Sequence, residues 1–392
     1  FHWQTSLGLK RSCLYGTNLN PQTAAKVAAF DLDGTIIKSS FGKGKGAKKG
    51  SSGPAFEWWR PTIPNKLREI NSQGFAVVII SNQNLKPALL AEWKKKIPLI
   101  ADALSDVPFR LFAATAKDGY RKPMPGMWYE LERMFADDGV QIDKSASFYV
   151  GDAAGRAGDF ASTDRKWALN VEIPFFTPEE YLLRLQPVPY KLPGFNVSSL
   201  PSLPPIAPTS KPIIAPPNTT KSKPELILFV GYPSLGKSTY YRRHFQSAGY
   251  VHINQDTLGT RQKCVKAVEE ALHAGESCVV DNTNRDQATR KVYVDVAKRK
   301  DAPLSRCFWF NGSMELAWHN NLYRAFNMPP SQAEKEPKRD LVPYLAYTSF
   351  RGAFEEPKAD EGFEEVRTVN WVFEGDEEER RRWSMWLQID GK

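Results

Sequence analysis

The sequence predicts an α/β fold with two domains, each built on a mainly parallel sheet. Short continuous apolar runs alternate with stretches of helical periodicity, which is typical of buried parallel strands joined by crossover helices. This pattern occurs on both sides of a proline-rich stretch. At 392 residues the chain is long enough for two domains with complete cores. We therefore expect domains at residues 1–186 and 225–392, joined by a connector at 187–224.

The elements follow in chain order. In the first half, the apolar runs predict strands at 27–30, 75–80 and 147–150, and helical periodicity predicts helices at 63–71 and 127–135. In the second half, the same patterns predict strands at 226–230, 250–253, 278–280 and 306–310, with helices at 238–248 and 261–274. Since catalytic groups in such folds follow the carboxyl ends of strands, we expect functional residues there.

The connector is defined by its prolines, because eleven of the 29 prolines fall between positions 187 and 224. Proline fixes φ and lacks an amide donor, so neither a helix nor a central strand can continue through this stretch. We predict an extended segment, part of which packs on a domain through Phe195 and Val197.

Composition excludes several classes of protein. No apolar stretch approaches the roughly 18 residues that a membrane-spanning helix needs, and the first residues lack the order of a secretory signal. The four cysteines are far apart in sequence, which argues against a zinc cage or a disulfide framework. The net charge of +9 suits a polyanionic partner.

The first motif follows the predicted strand 27–30. Asp31 and Asp33 are separated by one residue, so both carboxylates can point the same way, one as a nucleophile and the other as a general acid and base. Ser81 follows the next strand and offers a hydroxyl to a phosphate oxygen. Lys122 supplies a positive charge, and Asp152 supplies a further carboxylate where a divalent ion would be shared with Asp31.

A lone Asp-x-Asp-Gly-Thr is also compatible with a capped turn, but here Asp, Ser, Lys and Asp arrive in order at the ends of apolar runs. This arrangement resembles the haloacid dehalogenase superfamily of phosphatases. The resemblance implies that Asp31 forms an aspartyl-phosphate. It also implies that Asp33 lends its backbone carbonyl to Mg²⁺ and that Asp152 completes the metal site.

The second motif follows the predicted strand 226–230. Residues 231–238 match G-x-x-x-x-G-K-[ST], with a strand before them and a helix after them. The turns at Gly231 and Gly236 leave backbone amides free for the phosphates of ATP, Lys237 neutralises them, and Ser238 can bind Mg²⁺. Thr239, which follows Ser238, is predicted to belong to the same nucleotide site.

A hydroxyl that accepts a phosphoryl group needs a base, and Asp256 lies at the end of a predicted strand for this role. A helix N-cap is the alternative interpretation of Asp256. Asp281 also ends a strand, with a role left open between metal-bound water and the acceptor. The segment from His319 to Arg324 is a candidate lid, in which Arg324 would reach the γ-phosphate; an ordinary amphipathic face is the alternative.

Taken together, the motifs resemble the bifunctional polynucleotide phosphatase/kinase family. The resemblance implies a haloacid dehalogenase-like 3′-phosphatase domain followed by a P-loop 5′-hydroxyl kinase domain, with Mg²⁺ and ATP as cofactors and DNA strand-break ends as substrates. It also implies a nuclear location, contact with DNA repair proteins and a monomer. Two departures from the family are expected: the absence of a forkhead-associated domain before Phe1, and the presence of Gln255 where an arginine is common.

Three alternatives stay open at this point. Neither motif set distinguishes ribose from deoxyribose, so an RNA end-healing enzyme of the tRNA repair type fits too. A metabolic phosphatase fused to a small-molecule kinase is the second alternative, and the net positive charge argues against it only weakly. A non-catalytic nucleotide-binding scaffold is the third, but Asp31, Asp33, Lys237 and Asp256 are all retained.

Two features near the first motif are candidates for nucleic-acid contact. Glycine and serine space four lysines between residues 38 and 53, namely Lys43, Lys45, Lys48 and Lys49. Trp58 and Arg60 follow shortly afterwards and could stack on a base and pair with a phosphate. For the lysines a solvated loop is the alternative interpretation, and for the tryptophan it is a place in the core.

Overall fold

A computed structural model of the chain describes residues 1–39, 56–209, 212–214, 224–299, 304–334 and 340–389. These residues form two compact units. Unit 1 contains residues 1–194 together with 385–389, and unit 2 contains residues 195–384. No helix among the described residues is long and apolar enough to cross a bilayer.

Unit 1 is built on a seven-stranded sheet with the order β1-β2-β5-β4-β3-β6-β7. Its strands are β1 His2–Trp3, β2 Cys13–Asn18, β3 Val27–Phe30, β4 Ala76–Asn82, β5 Phe109–Ala114, β6 Phe148–Val150 and β7 Phe175–Phe176. Its helices are α1 Ile63–Ser72, α2 Pro87–Asp102, α3 Gly126–Asp137, α4 Thr163–Val171 and α5 Pro178–Leu183. The strands from β5 to β7 are parallel, and β2 and β1 add an antiparallel edge.

Unit 2 is built on a six-stranded sheet with the order β10-β11-β9-β12-β13-β8. Its strands are β8 Ile206–Ala207, β9 Glu225–Val230, β10 Val251–Ile253, β11 Cys278–Asp281, β12 Leu304–Asn311 and β13 Glu365–Asn370. Its helices are α6 Lys237–His244, α7 Gln255–Leu258, α8 Arg261–His273, α9 Gln287–Arg299, α10 Met314–Leu322, α11 Pro330–Ala333, α12 Tyr344–Ala353 and α13 Glu377–Trp383. Neighbouring strands of this sheet are parallel, except that the edge strand β8 pairs with β13 in the antiparallel direction.

In both units, alternate side chains of each central strand enter opposite cores. In unit 1, Phe30 packs with α1 and α2 on one face, and Ala29 packs with α3 and α4 on the other. In unit 2, Leu228 packs with α8 and α9, and Phe229 packs with α6, α10 and α12. Both units are therefore helix-sheet-helix sandwiches, which confirms the predicted α/β class.

The division of the chain differs from the predicted bounds in two places. The proline-rich stretch contributes to unit 2, because Phe195, Val197 and Ile206 pack on its core and β8 pairs with β13. Being a two-residue edge strand, β8 needs few backbone amides, which is compatible with the neighbouring prolines. Residues 385–389, assigned by sequence to the second domain, belong to unit 1.

Candidate active sites

The site in unit 1 lies where β3, β4 and β6 end. Asp31 directly follows β3, Ser81 lies near the end of β4, and Asp152 lies two residues beyond β6. Because parallel strands end at the same edge of the sheet, the three side chains are brought to one place. Asp31 and Ser81 are both buried, with exposed fractions of 7% and 1%.

Lys122 occupies the centre of this site. Its Nζ donates to Oδ1 of Asp31 at 2.7 Å, to the hydroxyl of Tyr149 at 2.7 Å and to the carbonyl of Ile80 at 2.9 Å. It also lies 2.7 Å from Oδ1 of Asp164. Burial disfavours the ammonium, but Asp164 and Asp31 outweigh burial, so the pKa of Lys122 is raised above its usual value. Lys122 is therefore a fixed cation beside Asp31.

Three carboxylates cluster around this lysine. Oxygen atoms of Asp31, Asp152 and Asp164 lie within 4.8 Å of one another. Sequence reasoning missed Asp164, because it follows no apolar strand; it stands instead in the first turn of α4. A Cβ on Gly34 would clash with Asp152, and a Cβ on Gly151 would clash with Asp164. These glycines therefore allow the two carboxylates to approach the backbone.

The charge of the cluster suits a divalent cation. Burial raises the pKa of Asp152 to about 7, and the negative charge of Asp164 adds to this effect. Burial also raises the pKa of Asp31 well above its usual range, although Lys122 opposes this. Three carboxylates with one cationic partner leave excess negative charge, and hard divalent ions prefer carboxylate oxygens. The donor set therefore fits Mg²⁺, with Asp31, Asp152 and Asp164 as its side-chain ligands.

Asp33 occupies a separate position, and its carboxylate is not part of that cluster. Nε2 of Gln83 donates to Oδ2 of Asp33 at 2.6 Å and to Oγ of Ser81 at 2.9 Å. Burial raises the pKa of Asp33, and the hydrogen bond from Gln83 partly offsets this. A raised pKa favours the protonated form of the carboxyl group, which a general acid requires.

The site in unit 2 surrounds the loop between β9 and α6. Gly236 caps α6 with a φ of 84° in the left-handed region, and Gly231 has a φ of 151°. A Cβ on Gly231 would lie 2.8 Å from the carbonyl oxygen of Phe310. Glycine is therefore required for this loop to approach β12, and the loop amides are available to an anion.

Lys237 is folded onto this loop. Its Nζ donates to the carbonyls of Gly231 at 3.0 Å and Tyr232 at 2.6 Å. Burial lowers the pKa of Lys237 to about 8. Arg324 reaches the same loop, donating from Nη2 to Oγ of Ser234 at 3.0 Å. Two basic side chains thus meet where a phosphate chain would lie.

His319, which sequence analysis placed in the same candidate lid as Arg324, faces the core instead. It is fully buried, and its Nε2 bonds the carbonyl of Trp383 at 2.6 Å. Burial lowers the pKa of His319 to about 4. This side chain is structural, whereas Arg324 contacts the loop.

Asp256 and Asp281 stand on neighbouring loops. The amide of Asp256 donates to Oδ1 of Asn254, and Nδ2 of Asn254 donates to the carbonyl of Asp281, at 2.7 and 2.8 Å. Asn254 is thus the cap of α7, which leaves the Asp256 carboxylate exposed to the cleft. Sequence reasoning missed His252, whose Nε2 lies 2.9 Å from Oδ2 of Asp281.

The carboxylate of Asp281 is held in its charged form. Burial opposes ionisation, but the hydrogen bond from His252 and the charge of Lys237 outweigh it, and the pKa of Asp281 is lowered. The nearby Ser238 hydroxyl also lowers the pKa of this carboxylate. A buried carboxylate beside the Ser238 hydroxyl is a suitable environment for a nucleotide-bound Mg²⁺.

These groups line one cleft of about 1000 Å³, which includes Lys237, Ser238, Asp256, Asp281 and Arg324. Thr239 lines it too, and its hydroxyl accepts from Arg242 at 3.2 Å. A second cleft of about 430 Å³ also borders Gly236 and Thr239, and its walls include Trp371 and Phe373. Two clefts that share this loop suit a phosphate chain with an attached aromatic base.

The residues predicted to contact nucleic acid differ in how accessible the structure shows them to be. Lys43, Lys45, Lys48 and Lys49 lie outside the described residues. Trp58 is partly buried and packs on the core of unit 1 with Phe56. Arg60 is exposed, and its guanidinium lies 5.0 Å from the ring of Trp59. Of the pair, Arg60 is therefore the more accessible.

Comparison with known proteins covers both units. Residues 26–182 match the family model described as polynucleotide kinase 3 phosphatase, and residues 226–340 match an AAA domain. A bifunctional polynucleotide phosphatase/kinase of Schizosaccharomyces pombe is 37% identical over 367 residues, covering 93% of this chain and 83% of the relative. A relative from Acanthamoeba polyphaga mimivirus is 32% identical over 383 residues, covering 89% and 85%. The polynucleotide 3′-phosphatase ZDP of Arabidopsis thaliana is 35% identical over 178 residues, covering 40% and 24%.

Proposed function

The chain belongs to the family of bifunctional polynucleotide phosphatase/kinases, and from this premise we propose that it heals DNA strand breaks. Unit 1 hydrolyses 3′-phosphates, and unit 2 transfers the γ-phosphoryl group of ATP to 5′-hydroxyls. The observation that carries the proposal is the contact of buried Lys122 with Asp31 at 2.7 Å, inside a cluster of carboxylates. That arrangement supplies a nucleophile with a fixed cation beside it.

The phosphatase reaction has two steps. An oxygen of Asp31 attacks phosphorus, the bond from phosphorus to the 3′ oxygen breaks, and Asp33 gives its proton to that oxygen. Asp33 then takes a proton from water as the water oxygen attacks phosphorus, and the bond to Asp31 breaks to release inorganic phosphate. Lys122 stabilises the carboxylate of Asp31, and the hydroxyl of Ser81 contacts a phosphate oxygen of the substrate. Asp31, Asp152, Asp164 and the backbone carbonyl of Asp33 would hold Mg²⁺, which would neutralise charge on the phosphate.

The kinase reaction takes place in the larger cleft of unit 2. Asp256 takes the proton of the 5′-hydroxyl, the hydroxyl oxygen attacks the γ-phosphorus, and the bond from that phosphorus to the bridging oxygen of ADP breaks. Lys237 and Arg324 stabilise the charge that develops on the γ-phosphoryl group. Ser238 and Asp281 would hold the Mg²⁺ of the nucleotide.

ATP fits the two clefts that meet at the loop. The backbone amides of residues 234–238 bind the phosphate chain, with Thr239 at its edge. The apolar walls of the smaller cleft, among them Trp371 and Phe373, are suited to the base. Lys237 must exchange its contacts with the loop carbonyls for contacts with phosphate oxygens.

The relatives' names and the net charge of +9 support a polynucleotide substrate, and DNA is the polynucleotide that we propose. Because its proposed substrates are DNA strand-break ends, we propose that the protein works in the nucleus beside DNA repair proteins. A monomeric state and the role of Arg60 in binding DNA are parts of the same proposal.

A nicked duplex tests the function directly. The duplex carries 3′-phosphate and 5′-hydroxyl ends, and both ends are read separately after incubation with ATP and Mg²⁺. Conversion of both ends is expected, with faster turnover of DNA than of an RNA nick or of small phosphate esters and alcohols. Faster turnover of RNA would identify an RNA end-healing enzyme, and preference for small molecules would overturn the assignment to polynucleotides.

A further inference from the structure

Five residues that follow the sequence of unit 2 are built into unit 1. Leu387 is fully buried, and Met385, Gln388 and Ile389 are exposed by 8% or less. Burial of this extent shows that residues 385–389, here called the docked segment, are part of the structure of unit 1. The phosphatase mechanism assigns no role to them.

The docked segment and the loop that carries Lys122 share one partner. Nδ2 of Asn170, in α4, donates to the carbonyl of Pro123 at 2.8 Å and to that of Trp386 at 2.7 Å. Oδ1 of Asn170 accepts from the amide of Trp386 at 2.7 Å. All hydrogen-bonding groups of this side chain, which is 3% exposed, are therefore used to join the docked segment to residue 123.

The other neighbour of Lys122 also contacts the docked segment. Nε of Arg121 donates to the carbonyl of Ile389 at 3.3 Å. The side chain of Asn82 holds Lys122 itself, accepting from its backbone amide at 2.9 Å and donating to its carbonyl at 3.1 Å. The backbone of Lys122 is thus held directly by Asn82 of β4, and its two neighbours in sequence are held by Asn170 and the docked segment.

We propose that the docked segment is a positioning element of the phosphatase, which acts through Asn170 and Arg121 to hold Lys122 at Asp31. The inference rests on the proposed role of Lys122 in phosphate hydrolysis. Lys122 bonds Asp31 at 2.7 Å from a loop rather than from a strand, so its precision depends on what packs behind that loop. A displacement of about 1 Å at a reacting group can cost about a hundredfold in rate.

The test compares three variants of the full chain. Asn170→Ala removes the shared partner, Trp386→Ala removes the ring that lies 4.8 Å from Nζ of Lys166, and Val171→Ala is the control. Val171 is the next residue of α4, is equally buried and packs in the sheet core. Phosphatase kcat and KM are measured on an aryl phosphate at a temperature where thermal melting shows each variant to be folded.

We expect kcat to fall by about tenfold or more in Asn170→Ala and by a smaller factor in Trp386→Ala, with a smaller change in KM. Val171→Ala should lower the melting temperature yet keep kcat within about twofold, since lost stability alone does not change the turnover of folded molecules. Kinase activity should stay unchanged in all three.

Equal kcat values for Asn170→Ala and Val171→Ala would overturn the inference while leaving the proposed function intact. If Asn170→Ala does not fold, Asn170→Leu decides, because leucine fills a similar space without the hydrogen bonds, and a parental kcat in that variant overturns the inference. A parent chain that hydrolyses neither the aryl phosphate nor a 3′-phosphorylated oligonucleotide would instead overturn the proposed phosphatase, and the inference with it.

Discussion

The side-chain amide of Gln83 bridges two groups of the phosphatase site, donating 2.6 Å to Oδ2 of Asp33 and 2.9 Å to Oγ of Ser81. Gln83 is 3% exposed, so neither bond competes with bulk water. The proposed general acid is thus held in one orientation by a residue that sequence analysis did not select.

Replacing Gln83 with methionine should therefore weaken acid catalysis. We expect kcat for a 3′-phosphorylated oligonucleotide to fall by about tenfold to a hundredfold, less than the roughly 10²- to 10⁴-fold cost of losing general acid catalysis completely, because Asp33 itself remains. An aryl phosphate should lose less, because its leaving oxygen needs little protonation. Gln73→Met, an exposed glutamine of unit 1, is the matched control. Equal losses on both substrates would argue that Gln83 acts on Ser81 or on folding rather than on Asp33.

The two activities should be chemically independent. Asp31→Asn should reduce 3′-phosphatase activity by several orders of magnitude, because no neighbour can replace a covalent nucleophile. Phosphorylation of 5′-hydroxyls by the same variant should remain close to that of the parent. Release of 3′-phosphate and incorporation of labelled γ-phosphate measure the two activities in one sample. Substantial phosphate release by Asp31→Asn would remove Asp31 from the role of nucleophile.

Lys237→Ala and Asp256→Asn should both abolish kinase activity, but for different reasons. Lys237 lies on the phosphate-binding loop, so its loss should weaken ATP binding as well as catalysis. Asp256 is exposed on α7 and acts on the acceptor, so its loss should leave ATP affinity nearly unchanged. Titration with a fluorescent ATP analogue separates the two. An equal loss of affinity in Asp256→Asn would place that residue in the nucleotide site.

Local sequence patterns were enough to locate several residues of both sites. Asp31, Ser81 and Asp281 each follow an apolar run, and local periodicity identified those runs to within about two residues at each end. Parallel pairing then brings the strand ends together, so the position of each site could be inferred without coordinates. The glycine loop at 231–238 was recognisable for the same reason, since its strand and helix are adjacent in sequence.

The residues that sequence reasoning missed depend on contacts between distant parts of the chain. Asp164 reaches Lys122 only because α4 packs beside β6, and no apolar run precedes it. Asn170 joins residues 123 and 386, which are separated by most of the chain. Such contacts have no local signature, because they arise from tertiary packing rather than from periodicity. A burial preference alone could not have distinguished Asn170 from an ordinary core residue.

His319 should make unit 2 sensitive to acid. Its folded-state pKa is about 4, against 6.5 in an exposed chain. Between these values only the unfolded state takes up a proton, so its contribution to stability is fully present above pH 6.5 and is lost as pH falls towards 4. The free energy of unfolding should fall by about 3 kcal/mol over this range from this group alone.

Denaturant unfolding of the full chain at several pH values measures this effect. His319→Gln keeps a hydrogen-bond donor for the carbonyl of Trp383 but does not titrate, so its stability should depend less steeply on pH. His273→Gln, an exposed histidine of α8, should keep the parental dependence. The same pH dependence in His319→Gln as in the parent would show that other groups determine the response to acid.

Four lysines closely follow Asp33 in sequence, namely Lys43, Lys45, Lys48 and Lys49. If the phosphatase binds a polynucleotide end, these lysines should contact phosphates beyond the scissile one and release counterions, giving a slope of log affinity against log salt of about −0.7 per contact on a single strand. Replacing all four with alanine should then raise KM for a 3′-phosphorylated oligonucleotide and flatten the salt dependence. Hydrolysis of an aryl phosphate should remain nearly unchanged, because the reacting groups are untouched. Steady-state kinetics across a salt series, on both substrates, is the measurement. Equal salt slopes for parent and variant would mean that the lysines are only a solvated loop and that the DNA contacts lie elsewhere.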